Sequence, residues 1–115
     1  MRLLILAALL ALATTAARAQ TAIPTGTPGV LITANPNARA VRYQVQGAGY
    51  ACVSWATSAI AIVGSNAAAT CTGAGAYLVT AGSIEGRVYP QPTPGSPLYG
   101  VAASGAMLQL NYEVQ

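Results

Sequence analysis

Two glutamates, Glu85 and Glu113, and two cysteines, Cys52 and Cys71, have the most capacity for chemistry in a 115-residue chain without histidine, lysine or aspartate. Lacking histidine, the chain has no ordinary general base at neutral pH. Every Ser–His–Asp and Cys–His arrangement is absent with it, and so is the Ser–Lys variant. A metal site needs several histidine, cysteine or carboxylate ligands, and those four residues are all there are. The remaining constellation is the carboxylate pair, which is the equipment of a glycosidase. Alternation along their strands predicts that both glutamates are solvated, with Arg87 on the same face as Glu85. No catalysis and no cofactor are therefore expected. The segment "TGAGAY", with Gly73 and Gly75, lacks the lysine and following helix of a phosphate loop and reads as a turn entering a strand.

The elements that would position these residues begin after residue 19. "MRLLILAALLALATTAARAQ" opens with Arg2, continues in an apolar run from Leu3 to Ala13, and ends in small residues through Ala17-Arg18-Ala19. That order is a secretory signal with cleavage after Ala19. Its apolar core is too short for the roughly 20 residues of a spanning helix. An exported chain enters an oxidising compartment, secreted or periplasmic. There a disulfide between Cys52 and Cys71 is the economical reading, with two free thiols or a metal pair as the alternatives.

Beyond residue 19 the charges are Arg39, Arg42, Arg87, Glu85 and Glu113, a net +1. Such a domain has no electrostatic footprint for a phosphate backbone or an acidic lipid surface, so no nucleic-acid partner is expected. From Tyr43 to Ile84 no side chain is charged. Within that stretch the best apolar run, Ala59 to Val63, is followed at once by Gly64, Ser65 and Asn66. No membrane insertion is expected once the signal is removed.

Period-two alternation dominates the rest. Val41, Tyr43 and Val45 oppose Arg42, Gln44 and Gln46; Leu108, Leu110, Tyr112 and Val114 oppose Met107, Gln109, Asn111 and Glu113. Each pattern marks a strand with one buried and one wet face. Further strands are expected at 29–33, 50–55, 58–63, 74–80, 83–89 and 98–103, separated by glycine-containing turns. About eight short strands give an all-β fold, a small antiparallel β-sandwich or jelly-roll-like barrel, as one domain over residues 30–115 with an irregular arm at 20–29. "NAAAT" at 66–70 is too short to stand as a helix. The proline-rich segment at 90–97 reads as a stiff connection.

The chain has no phenylalanine, so its tyrosines and Trp55 must supply the large core side chains. Tyr89 and Tyr99, which flank the proline segment, and Trp55 are the candidates for an exposed aromatic platform.

The stretches "LITANPNARAVRYQVQG", "LVTAGSI" and "YGVAASGAMLQLNYE" carry a likeness to known proteins. Ala34-Asn35-Pro36 with Arg39, Leu78 to Gly82, Gly100 to Gly105 and Leu108 to Glu113 resemble small β-sandwich proteins of tailed-phage and prophage structural gene clusters. The resemblance covers most of residues 30–114. It implies a capsid-decorating, head-fibre or similar virion surface component, and it brings no catalytic residues. The cysteine pair lies outside that pattern. The export signal implies instead a periplasmic or cell-surface protein, as for one domesticated from a prophage.

Two functions are expected on these grounds. One is a non-enzymatic structural or interaction module that joins protein partners or copies of itself. The other is an exported glycan- or small-ligand-binding module, which would need Trp55, Tyr89 or Tyr99 exposed together on one surface.

Overall fold

The computed structural model describes residues 18–65, 68–88 and 96–115. Their strands are β1 (Arg18–Ala22), β2 (Gly29–Ile32), β3 (Ala40–Ala48), β4 (Tyr50–Ser54), β5 (Ala61–Val63), β6 (Thr70–Thr72), β7 (Tyr77–Thr80), β8 (Ile84–Val88), β9 (Leu98–Ala102) and β10 (Met107–Val114). Among the described residues there is no α-helix.

Two four-stranded sheets form, in the orders β1-β10-β3-β8 and β2-β9-β4-β7, with β5-β6 as a separate hairpin. Every ladder in them is antiparallel. The two orders correspond strand for strand. Strands β1 and β2, β10 and β9, β3 and β4, and β8 and β7 are consecutive pairs that each place one member in either sheet. Four such arches side by side make a jelly-roll sandwich, which manages sheet edges by folding one layer onto the other. The first sheet is called A and the second B.

Corner geometry explains how a strand passes from one layer to the other. Between β3 and β4 the chain turns through Gly47 and Gly49, with φ of 116° and 110°. Any side chain at Gly47 would run into the backbone of Met107 on the neighbouring β10. Only glycine supplies both the positive φ and the close approach.

The core follows the expected alternation. Val41, Tyr43 and Val45 of β3, and Leu108 and Leu110 of β10, are buried from sheet A. They meet Leu31, Ile32, Ala51, Val53, Val79, Leu98 and Ala102 from sheet B. Gly100 leaves room between Leu31 and Val53 that a Cβ would fill.

Strand β4 departs from alternation, because Ala51, Cys52, Val53 and Ser54 are all fully buried. Ala51 and Val53 face the core. Cys52 faces outward, where it forms a second apolar cluster with Ile60 and Val101, packed against Ile62, Cys71, Ala76 and Tyr99. The β5–β6 hairpin therefore covers the outer face of sheet B, and the Cys52–Cys71 disulfide (Cα–Cα 5.7 Å) holds it there. A buried disulfide of this kind fits an oxidising compartment.

Among the described residues ten strands replace the expected eight, and the differences have local causes. Gln20–Ala22, expected in an irregular arm, belong to β1, which pairs with β10 from Arg18↔Glu113 to Ala22↔Gln109. Cleavage after Ala19 would leave three residues of that strand. The three-residue β6 is too short to display a period. The strand expected at 58–63 is reduced to Ala61–Val63, because Thr57 and Ser58 bind nearby backbone N–H groups: Ala59 N donates to Thr57 Oγ1 and Ile60 N to the Ser58 carbonyl. Such local bonds compete with ladder pairing. Most of the proline-rich segment lies outside the described residues.

The tetrapeptide "IEGR" at 84–87, recognised by a clotting protease, lies within β8 and is paired along its length with β3. That protease is expected to leave the native protein intact and to cut after Arg87 once the chain is reduced and unfolded. A gel of the two digests checks this.

Candidate functional site

Glu85 is not the solvated carboxylate that alternation predicts. In the β3–β8 register Tyr43 stands opposite Glu85 and Val41 opposite Arg87. Glu85 and Arg87 therefore share the inward face of Tyr43 and Val41, while Ile84 points outward and is 69% exposed. Strand β8 runs with its polar residues inside and an apolar one outside. It can do so because it is an edge strand, where the gap between the layers meets solvent.

At this edge five side chains from both sheets converge. Tyr43, 3% exposed, donates its hydroxyl to Glu85 Oε2 at 2.6 Å. The hydroxyl of Tyr77, from β7, lies 2.7 Å from that of Tyr43. The Trp55 ring, just beyond β4, is tilted against Tyr43 with centroids 6.5 Å apart. The Arg87 guanidinium sits 5.5 Å from the Trp55 ring centroid, a cation–π contact. Sheet A contributes Tyr43, Glu85 and Arg87, and sheet B contributes Tyr77 and Trp55. Together they latch the two layers at the β8–β7 side.

The electrostatics of the latch oppose catalysis by its phenols. Burial, with the hydrogen bond to Glu85 next, pushes Tyr43 well above the usual phenol range. Burial foremost raises Tyr77 to about 12. Both remain protonated at neutral pH and act as hydrogen-bonding groups rather than bases or nucleophiles. Because both values lie above the unfolded reference of 10.0, their contribution to stability is complete below that pH. It is lost as pH rises through about 12 for Tyr77 and beyond for Tyr43. The urea midpoint is expected to hold steady between about pH 7 and 9 and to fall above about pH 10. In Tyr43→Phe that alkaline fall becomes shallower.

The second glutamate lies elsewhere. Glu113 stands opposite Arg42 in the β10–β3 ladder, on the outward face of sheet A with Gln109 and Asn111. The sheet itself separates it from Glu85. A glycosidase needs both carboxylates flanking one bond, and this arrangement does not provide that. Among the described residues no group of three or more His, Cys, Asp or Glu forms a metal cluster.

The expected aromatic platform is also divided. Trp55 is half-buried at the interior edge, packed against the main core. Tyr99 is half-buried on the outer face of sheet B, against the cluster beneath the hairpin. Tyr89 lies outside the described residues. Trp55 and Tyr99 thus do not share a surface.

Ser54 is the one buried polar residue among those described. Its hydroxyl donates to the Ala74 carbonyl at 2.7 Å and accepts from the N–H groups of Ala56 (3.0 Å) and Thr57 (3.3 Å). It ties the end of β4 to the turn before β7, and those bonds occupy it as a structural hydroxyl.

What remains open is surface. A shallow depression of about 510 Å³ on the outer face of sheet A is lined by Gln20, Arg42, Gln44, Ile84, Asn111 and Glu113, among others. Across that face Gln20, Asn111, Gln44 and Ile84 form one cross-strand row, and Gln109 and Gln46 belong to another. Gln20 donates its side-chain amide to Gln109.

No family model matches the chain, and no curated protein matches it. Among solved structures it is similar to a de novo designed double-stranded β-helix, at 12% identity and a TM-score of 0.49, over 86% of this chain and 99% of that one. It is likewise similar to PirA, at 12% identity and a TM-score of 0.49, over 88% of this chain and 95% of that one.

Proposed function

We propose that the protein is an exported, non-enzymatic structural or interaction module that works by packing its surfaces against protein partners or copies of itself in an envelope or virion assembly. One observation carries the reading: three of the four residues with the most chemical capacity have structural roles, and the fourth, Glu113, lies on the outer face of sheet A. Glu85 is the acceptor of the Tyr43 latch, Cys52 and Cys71 form the hairpin staple, and Ser54 anchors a turn. The outer face of sheet A, rich in side-chain amides and low in charge, suits close packing against another protein.

The depression lined by Arg42, Gln44, Asn111 and Glu113 favours a second reading, a glycan- or small-ligand-binding module, since these groups can hydrogen-bond sugar hydroxyls.

Fractionation of producing cells tests the choice. The module reading expects the processed chain in the envelope or particle pellet. A chain that stays soluble and is retained on a glycan matrix would replace that reading with the second.

A further inference from the structure

Among the described residues, strand β8 ends sheet A and is paired only with β3. We propose that its free edge is a self-association site, at which β8 of a second copy adds antiparallel about a two-fold axis through Gly86. This deepens the module reading and rests on it, naming another copy of this chain as a partner.

Backbone phase supplies the first support. Val45 N donates to the Ser83 carbonyl, while Ala40 exchanges both its bonds with Gln115 beside the end of β10. The odd residues of β3 thus turn their peptide groups to β8, and the even ones turn theirs to β10. With Tyr43 opposite Glu85 and Val41 opposite Arg87, those two β8 residues bond inward to β3. The peptide groups of Ile84, Gly86 and Val88 then point to the open edge. Pairing about Gly86 sets Gly86 against Gly86 and Ile84 against Val88, so all the outward groups meet in hydrogen-bonded pairs. Sheet A becomes continuous across eight strands.

Charge supplies the second support. Edge strands commonly carry charges that deter pairing, because two copies bring like signs together. In "IEGRV" the acid and the base are placed symmetrically about the glycine. In the proposed register each Glu85 faces Arg87 of the other copy, at the close, non-hydrogen-bonded positions where cross-strand pairs interact most. Registers centred on Glu85 or on Arg87 would instead set like charges opposite each other. The pattern therefore selects one alignment and penalises its neighbours. Glu85 is already ordered by Tyr43 and Arg87 by Trp55, so pairing need order few new rotamers.

A five-residue edge is a small interface, so a weak dimer with a Kd of about 1 μM to 1 mM is expected. Light scattering over a concentration series, on exported and purified protein, reads the mass directly. The proposal expects a mass rising toward two chains in the native protein. Gly86→Pro removes an outward N–H and no β3 bond, and it is expected to give a single-chain mass with an unchanged far-ultraviolet spectrum. If that variant does not fold, Arg87→Glu makes both cross-copy pairs like-charged and is likewise expected to be monomeric. A native protein that stays single-chain throughout overturns the proposal, as does a dimer that survives both substitutions. A single-chain protein still found in the envelope or particle pellet would remove the edge pairing and leave the module reading standing.

Discussion

Replacing Cys52 and Cys71 together by alanine is expected to lower the stability of the domain by about 3 kcal/mol, the chain-entropy value for closing a loop of this length. For a chain of this size that corresponds to a thermal midpoint lower by at least about 10 °C. The loss should be uneven. The disulfide joins the fully buried Cys52 of β4 to Cys71 of β6, and among the described residues β5 and β6 pair only with each other. Without the bond, the hairpin is held by Ile60, Ile62 and a few neighbours against Val101. Amide exchange is expected to quicken most in β5 and β6 and less in sheet A, whose core amides report only the global loss. Circular-dichroism melting with and without reductant, followed by exchange on the double variant, measures both parts. Equal loosening of both sheets would mean that the bond does not act as a local staple.

Tyr43→Ala is expected to be at least as damaging, at about 3–5 kcal/mol, in the range of other large aromatic-to-alanine changes in cores. The ring is 3% exposed and lies in the main core cluster, so its removal leaves a cavity between the sheets. Its hydroxyl touches both Glu85 and Tyr77, so its removal also deprives a carboxylate of its donor. Tyr43→Phe keeps the ring and isolates that second effect, expected at about 1–3 kcal/mol. Denaturant unfolding of the two variants separates packing from the latch. If Tyr43→Phe matched the native protein, the latch would contribute nothing to stability.

Much of this architecture was legible in the residues. The alternation in 40–48 and 107–114 is long enough to fix which side of each strand is buried, and both expectations hold at Val41, Tyr43, Val45, Leu108 and Leu110. The disulfide followed from the cysteine pair and the expectation of an oxidising compartment. The strand edges were less legible, because three-residue strands carry no period and side-chain bonds from Thr57 and Ser54 reshape the chain around them. The latch was hidden for a different reason. "SIEGRVY" alternates in polarity as a half-wet strand does, and that pattern points its apolar face inward, whereas at this edge the polar face turns in. At a sheet edge an inward face can carry a glutamate and an arginine, and only the register with β3 places Glu85 beside Tyr43. A buried tyrosine in a chain without phenylalanine was the available hint, since its hydroxyl needs a partner.

The decisive measurement is a double-mutant cycle by urea unfolding, with Tyr43→Phe, Glu85→Ala and their combination. If the carboxylate serves as the structural acceptor of the latch, the two losses are coupled by about 1.5–3 kcal/mol, as for a hydrogen bond to a charged group. Losses that simply add, to within about 0.5 kcal/mol, would contradict it and return Glu85 to the set of groups available for chemistry.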